Sequence, residues 1–416
     1  MTPETHSSPA RRLRPTAERT GDGPFSVART TLSRCDAPEF RRDWQALVAT
    51  SRNLYSQYQS PQWFDHLRAI GDPGLLPPLA VTDRDGRLAG IVPLSFGERD
   101  LIFTTKERIL WRSVLQVVSI LGSDPLMPDD PELVGRVFAE ALDSAPGADG
   151  VYLHSVAADG ILWRHLEVES RRRDRLVYLA SGRRPFHFLE LPETFQAYLA
   201  KFGAKKRYNL ARQVRLLREQ AAGRLELHRI ERPQDVVGFA GDTATVVERS
   251  WQGELTTSGV TRAARDPRAL EDLARRGLLR SYLLVCAGRP CAFVVGYQDR
   301  DVFHYAEIGY DREFGRFSPG AVLLYLLLED LYAHRRPRWV NFGIGEAAYK
   351  REFGNRETTD ASVFVLRRTA ANLGRVRAHQ AFRGIVELAK RLRSSRSPVA
   401  TQSRMPRVGR DGDARD

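Results

Sequence analysis

The sequence has few cysteines and no long apolar run, and both absences narrow the kinds of protein it can be. Its three cysteines, Cys35, Cys286 and Cys291, are too few for a disulfide framework and lack the spacing of zinc ligands. No apolar run approaches the ~18 residues that cross a bilayer. The N-terminal residues are charged and rich in proline, without an apolar signal core. We therefore predict buried thiols, no membrane span and a cytoplasmic protein.

The charge is strongly positive. Lysine and arginine number 64 against 51 acidic residues, which gives a formal net charge of +13 and a pI near 9.9. Such an excess favours acidic partners, namely nucleotides, phosphorylated cofactors, tRNA or the surface of a membrane. It is densest in the segment 201–218, which contains no acidic residue. Apolar residues recur there at helical spacing, so we predict an amphipathic helix whose basic face either binds an anion or is simply solvated.

The order of predicted elements occurs twice. The segments PLAVTDRDGRLAGIVPLSF (78–96) and SYLLVCAGRPCAFVVGYQD (281–299) both predict a strand, a tight turn and a second strand. Each follows two predicted helices and precedes a strand, a helix and another strand. We therefore predict two copies of one α/β unit. The predicted divisions are a disordered tail (1–24), an N-terminal unit (25–191), a basic helical connector (192–223), a C-terminal unit (224–367), a helix (368–393) and a basic disordered tail (394–416).

The stretch 301–355 carries the most specific pattern, which predicts a strand, a loop, an apolar helix, a strand and a short polar turn. Ser318 is a good N-cap and Pro319 a good first helical residue. Gly320 has no side chain, so the amides of Gly320 and Ala321 could bind a phosphate at the positive end of the helix dipole. The alternative is an ordinary helix start that binds nothing. Two loop arginines could add charge-assisted bonds: Arg312 and Arg316.

Four segments together resemble the GNAT fold of N-acetyltransferases. They are KKRYNLARQVRLL, SWQG, GRFSPGAVLLYLLLEDL and VNFGIGEAAYKREFGN, within roughly residues 190–356. The last is the most specific, and together the four segments are most similar to the CelD-like GNAT family, which is associated with cellulose and exopolysaccharide biosynthesis. The related Fem-type aminoacyl transferases have tandem GNAT domains. The resemblance implies an α/β fold of two tandem GNAT-like domains with mixed central sheets.

The resemblance also implies a donor site for acetyl-CoA or another acyl-CoA, without a metal. The donor would lie where the strands Val302–Gly309 and Trp339–Phe342 separate, with its pyrophosphate at the helix start. The residues assigned to this donor site are Arg316, Ser318, Gly320, Ala321 and Asn341. An amine would then attack the thioester, which requires a base, a group that polarises the carbonyl and an acid for the leaving thiolate.

Catalytic roles follow from the same resemblance. Tyr349 would protonate the sulfur, unless it is only an aromatic lid. Glu307 or His304 would be the base, and the alternatives are an ion pair for Glu307 and a satisfied buried position for His304. Because the two lie an odd number of residues apart on one strand, we expect their side chains to point to opposite faces. The residues assigned to the acceptor are Trp251, Glu346 and Lys350, and Asn341 could also orient it.

One departure from the usual GNAT loop leaves the donor open. Phe317 stands where that loop has a second small residue, and Pro319 removes one amide donor. The first hypothesis is an acyl-CoA-dependent N-acyltransferase that acts on a small amine or a sugar precursor, including a nucleotide-linked one, in polysaccharide or cell-envelope biosynthesis. The second is a Fem-type transferase that uses aminoacyl-tRNA. The third is a binding module whose cleft has lost its chemistry.

Overall fold

A computed structural model describes residues 23–105, 108–250 and 266–395, and within them thirteen strands form one mixed sheet. The strands are β1 (Phe25–Arg29), β2 (Leu75–Asp83), β3 (Leu88–Thr104), β4 (Ile109–Ile120), β5 (Gly150–Ala157), β6 (Arg175–Tyr178), β7 (Arg183–Glu190), β8 (Leu225–Ile230), β9 (Ser281–Cys286), β10 (Arg289–Asp299), β11 (Val302–Tyr310), β12 (Trp339–Ile344) and β13 (Arg356–Arg367). The helices are α1 (Leu32–Asp36), α2 (Pro38–Thr50), α3 (Pro61–Ala69), α4 (Pro131–Asp143), α5 (Ile161–Glu169), α6 (Phe195–Leu199), α7 (Ala204–Gln220), α8 (Pro233–Glu248), α9 (Pro267–Arg275), α10 (Pro319–Ala333), α11 (Ala348–Phe353) and α12 (Ala370–Ser395).

Helices cover both faces of the sheet in the C-terminal unit. Val294 packs against α7 and α10, whereas its neighbour Val295 packs against α8 and α9, because successive strand residues point to opposite faces. We call these the α10 face and the α8 face. Helix α3 of the N-terminal unit also lies on the α8 face, where His66 Nδ1 is 2.8 Å from Asp272 Oδ2 of α9. The two units therefore share this layer of helices.

The two units exchange their last strands. The strand order is β1-β2-β3-β4-β5-β13-β7-β12-β11-β10-β9-β8, with β6 paired to β13. Strand β13, from the end of the C-terminal unit, lies beside β5 of the N-terminal unit. Strand β7, from the end of the N-terminal unit, lies beside β12 of the C-terminal unit. The repeated order of elements in two α/β units is confirmed, whereas the domain boundaries stay a prediction.

Two predicted elements differ in extent. Strand β3 extends beyond the predicted segment 78–96, since Arg99 to Thr104 continue to pair with β4. The polar turn after β12 contains helix α11. Tyr349 and Phe353 lie one turn apart on α11, and both pack against the core beneath α10. That burial explains why a segment rich in charged residues is helical.

The basic connector is helical, as predicted, and forms α6 and α7. Leu210, Val214 and Leu217 of α7 are buried, while most of its basic side chains are exposed. Lys201, which precedes α7, has a structural contact, because its ammonium group donates to the carbonyls of Phe353 and Gly354 at 2.7 and 2.6 Å. The amphipathic pattern is therefore confirmed.

The cysteines, the apolar runs and the tails were also the subject of predictions. All three cysteines are buried free thiols, as expected. In the described ranges, no helix combines the length and the apolarity needed to cross a bilayer. The predicted tails fall almost wholly outside the described residues.

Candidate active site

The strands β11 and β12 separate after a short parallel pairing. They pair only at Val302↔Trp339, Phe303↔Val340 and His304↔Asn341. Beyond these pairs, β11 continues along β10 and β12 continues along β7. The predicted gap between these two strands is therefore present.

A β-bulge in β11 changes which side chains share a face. Val295 pairs with Glu307 and Gly296 with Tyr305, so Ala306 is an extra residue. Tyr305 and Ile308 consequently pack on the same α10 face, although they are an odd number of residues apart. His304 and Glu307 must then share the α8 face. The expectation that they point to opposite faces was wrong, because strict alternation fails at a bulge.

His304 is enclosed by aromatic residues of the N-terminal unit. It is 3% exposed, and its ring lies 6.2 Å from that of Tyr55 and 5.3 Å from that of Tyr58. Its Nδ1 is 3.5 Å from the side-chain amide of Asn341. Burial lowers the pKa of His304 to about 3, which makes it a weak base at neutral pH. Glu307 is half-buried on the same face and is the better candidate for the base.

The depressed pKa of His304 predicts a pH-dependent stability. The folded-state pKa of His304 is about 3 against an ordinary 6.5. The contribution of its neutral ring to the free energy of unfolding is therefore complete above pH 6.5 and is lost as the pH falls towards 3. Between pH 7 and pH 5, the wild type should lose about 2 kcal/mol more unfolding free energy than His304→Asn. Denaturant unfolding at both pH values measures this difference. The other titrating groups are the same in both proteins. An equal loss of unfolding free energy in both between pH 7 and pH 5 would therefore contradict the prediction.

Tyr349 lies at the gap on the opposite, α10 face. Its ring is 5.8 Å from that of Tyr305 and 6.1 Å from that of Phe342, so the wall of the gap on this face is aromatic. Burial raises the pKa of Tyr349 to about 12, so its hydroxyl keeps its proton at neutral pH. Tyr349 and Glu307 therefore lie on either side of the separated strands.

The two charged residues assigned to the acceptor have partners within the protein. Lys350 Nζ donates to the carbonyls of Gly343 and Ile344 at 3.2 and 3.1 Å, and burial lowers its pKa to about 8. Lys350 thus attaches α11 to the end of β12. Glu346 is exposed and pairs with Arg351 at 2.7 Å. Trp251 lies outside the described residues, and the roles of all three stay predictions.

The start of α10 offers fewer free amides than the sequence indicated. Ser318 has a left-handed backbone (φ 54°), and its side chain does not cap the helix but accepts from Gln213 Nε2 at 3.3 Å. The amide of Ala321 donates to the Ser318 carbonyl at 3.0 Å. The Gly320 amide has no acceptor among the described residues, and a Cβ there would meet only Tyr310 Cδ1 at 3.8 Å. One amide, rather than two, is therefore available to an anion.

Two other residues assigned to the donor site differ in position. Arg316 is exposed, and its guanidinium lies 4.6 Å from the centre of the Phe317 ring. It can therefore turn towards an anion at the helix start. Asn341 is 3% exposed, and its side-chain amide is 3.4 Å from the Leu54 carbonyl, next to His304. Its side chain thus points towards the α8 face, where an acceptor would approach.

The corresponding region of the N-terminal unit is closed. Strands β4 and β5 also pair in parallel at only three positions, but the Ser155 amide of β5 donates to Ser123 Oγ at 3.0 Å. The loop after β4 therefore occupies the edge of β5. At the start of α4, Asp130 Oδ1 accepts from the amides of Glu132 and Leu133 at 2.8 and 3.0 Å. This carboxylate takes the place that an anionic ligand would occupy.

Sequence reasoning missed Tyr55 and Tyr58. They belong to the segment between α2 and α3, about 250 residues before His304 in the chain. No local pattern distinguishes them from core tyrosines. Among the described residues, no group of His, Cys, Asp and Glu is arranged to hold a metal ion.

Comparison with known families identifies the C-terminal unit. Residues 204–351 match the family model described as "Acetyltransferase (GNAT) domain". This part of the chain is therefore a GNAT acetyltransferase domain, and it lies within a fold of two α/β units. No curated protein matches its sequence at a significant level.

Solved structures share the fold at low sequence identity. A conserved protein of unknown function from Bacteroides thetaiotaomicron has 11% identity and a TM-score of 0.50, covering 82% of this chain and 99% of its own. A tandem GNAT protein from the clavulanic acid biosynthesis pathway has 12% identity and a TM-score of 0.49, covering 82% and 98%. FemX has 12% identity and a TM-score of 0.49, covering 81% and 96%. Identities this low concern the fold alone.

Proposed function

We propose that the protein transfers an acyl group, acetyl in the simplest case, from acyl-CoA to an amine. The observation that carries the proposal is the gap between β11 and β12 beside an uncapped helix start, in the unit that matches the GNAT family. The equivalent gap and helix start of the N-terminal unit are occupied by the side chains of Ser123 and Asp130. The donor therefore binds to the C-terminal unit. The resemblance of the sequence to CelD-like proteins points to polysaccharide or cell-envelope biosynthesis.

The chemistry uses both faces of the gap. The thioester lies between the separated strands, and the acceptor amine approaches from the α8 face. The C–N bond forms as the C–S bond breaks, and Glu307 takes the amine proton directly or through a water molecule. Tyr349 donates its proton towards the leaving sulfur from the α10 face. The diphosphate of CoA accepts from the Gly320 amide, with Arg316 as a charged neighbour.

The exposed basic side of α7 favours a second candidate, an aminoacyl-tRNA-dependent transferase. Helix α7 adjoins the start of α10, since Gln213 contacts Ser318. Its exposed cations, which include Lys205 and Arg212, could follow a nucleic-acid backbone. The same cations could also contact the phosphates of CoA. Binding measurements distinguish the two donors.

Thermal unfolding with CoA, acetyl-CoA or aminoacyl-tRNA tests the proposed function. CoA at a hundred times its Kd should stabilise the protein by about 2.7 kcal/mol. Acetyl-CoA should give a similar shift, and tRNA should give none at physiological salt. Stabilisation by aminoacyl-tRNA without any effect of acyl-CoA would replace the proposal by the second candidate. Absence of binding by either donor would favour a degenerate module.

The rate of acetyl transfer by a Tyr349→Phe variant tests the role of the acid, and titration with CoA measures its donor affinity. Loss of a general acid should lower turnover about 100-fold or more, while the retained ring leaves the affinity for CoA unchanged. Tyr325→Phe is the matched control, because Tyr325 is a half-buried tyrosine of α10 that packs against Phe195. An unchanged rate in Tyr349→Phe would make Tyr349 an aromatic lid.

A further inference from the structure

A cavity of about 620 Å³ lies beside the gap, bounded by the segment between α2 and α3, the N-terminal sheet and β13. This volume suits a small ligand. Much of its wall is apolar, formed by Leu47, Leu54, Leu126, Met127, Phe186 and Phe188. Its polar wall includes Asp124, Asp360, Ser155, Thr358 and Tyr55, and Arg52 is the one basic residue among its described lining.

Tyr55 connects this cavity with the candidate active site. Its ring lies 6.2 Å from that of His304, and a Cβ added at Gly343 would lie 3.6 Å from the Tyr55 hydroxyl. Gly343 is near the end of β12, where the two strands have separated. Leu54, which also lines the cavity, accepts from Asn341 at 3.4 Å. A ligand in the cavity is therefore one side chain away from the reacting centre.

Two carboxylates of the cavity have no positive partner at hydrogen-bonding distance within the described residues. Asp360 is 6% exposed, and among the described residues its carboxylate oxygens accept only from the hydroxyls of Ser155 and Thr358, at 2.6 and 3.2 Å. Asp124 is an exposed residue of the cavity lining, and no hydrogen-bond donor to its carboxylate occurs in the described ranges. Burial raises the pKa of Asp360. A bound cation would supply the missing charge.

We propose that this cavity binds a second, cationic group of the acceptor. The acceptor is then a diamine, or an amine that carries another positive charge beyond its reacting nitrogen. Its methylene groups pack against the apolar wall, and its distal ammonium pairs with Asp124 and Asp360. The same carboxylates repel a phosphate, which disfavours a nucleotide-linked sugar. This inference rests on the proposed function, because it assumes that the amine is acylated in the adjoining gap.

Calorimetric titration of the full chain with three amines tests the inference: 1,4-diaminobutane, 1-aminobutane and glucosamine 6-phosphate. The diamine should bind at least about tenfold more tightly than the monoamine, as expected for one added charge-assisted contact. Asp124→Asn should abolish this preference. Asp129→Asn is the matched control, since Asp129 pairs with His165 at 2.7 Å and does not line the cavity. Asp360→Asn should also weaken the preference, with its folding checked by circular dichroism.

Each titration is made with and without CoA, which separates this inference from the proposed function. Equal binding of the diamine and monoamine, no binding of any amine, tighter binding of the phosphorylated sugar, or a preference that survives Asp124→Asn would overturn the inference. If CoA still binds in those cases, the proposed function stands. If CoA does not bind but the diamine preference holds, the cavity is a cation site and the acyltransfer proposal fails.

Discussion

Replacing Asp330 by alanine should lower the free energy of unfolding by about 3–5 kcal/mol, because it removes the carboxylate that faces a buried guanidinium. Arg280 is 0% exposed, and its Nη2 lies 3.1 Å from Asp330 Oδ2. The Tyr282 hydroxyl donates to the same oxygen at 2.8 Å. The acid that remains near Arg280 is Glu231, at 3.7 Å. Loss of Asp330 therefore leaves a charge in the core with incomplete compensation.

The same network anchors the end of α10. Arg280 also donates to the His334 carbonyl at 2.7 Å, immediately after the helix ends. Glu329→Ala is the matched control, since Glu329 is the exposed neighbour of Asp330 on the same helix. It should change stability by less than about 0.5 kcal/mol. Calorimetric unfolding measures both variants, and an Asp330→Ala protein as stable as Glu329→Ala would contradict this account of the core.

Replacing Gly320 by aspartate should weaken CoA binding at least about tenfold without harming the fold. An acidic side chain in the first turn of a helix is stabilising by about 0.3–1 kcal/mol, so unfolding should be unchanged or slightly more difficult. There is room for the side chain, because a Cβ at Gly320 meets only Tyr310 Cδ1 at 3.8 Å. The new carboxylate would lie where the diphosphate accepts from the Gly320 amide, and the two negative charges would repel.

Gly320→Asn provides the control for size. Asparagine has nearly the shape of aspartate but no charge, so it should retain most of the affinity for CoA. Calorimetric titration of CoA into the wild type and both variants gives the three affinities. Equal affinities for the Asp and Asn variants would place the diphosphate elsewhere and remove the helix start from the donor site.

Local patterns predicted several elements closely. Strand β8, Leu225–Ile230, is one that its own residues predict, because apolar and polar residues alternate there between turn-forming neighbours. The start of α10 follows from Ser318 and Pro319, since proline is compatible with the first turn of a helix and not with its interior. The prediction that the Ser318 side chain caps this helix was nevertheless wrong. Its left-handed backbone turns the hydroxyl towards Gln213, and residue type alone does not specify that conformation.

The faces of β11 show a second limit of sequence patterns. Alternation placed His304 and Glu307 on opposite faces, and the bulge at Ala306 places them together. Alanine at this position has no signature of a bulge, so the pattern contained no warning. Helix α11 was missed for a related reason. Its short, charged segment is typical of a turn. Its helicity depends on the burial of Tyr349 and Phe353 against a core formed by other segments.

The sequence by itself determined the two α/β repeats, the amphipathic basic helix and the helix start that precedes a candidate anion site. Each of these features depends on the spacing of residues within a segment, because apolar residues recur at the period of the helix or strand face that is buried. Only the tertiary structure decided the exchange of β7 and β13, the closure of the N-terminal gap by Ser123 and the approach of Tyr55 to His304. These contacts join residues that are far apart in the chain, and the packing of the whole sheet selects them among many pairings that the local patterns would equally allow.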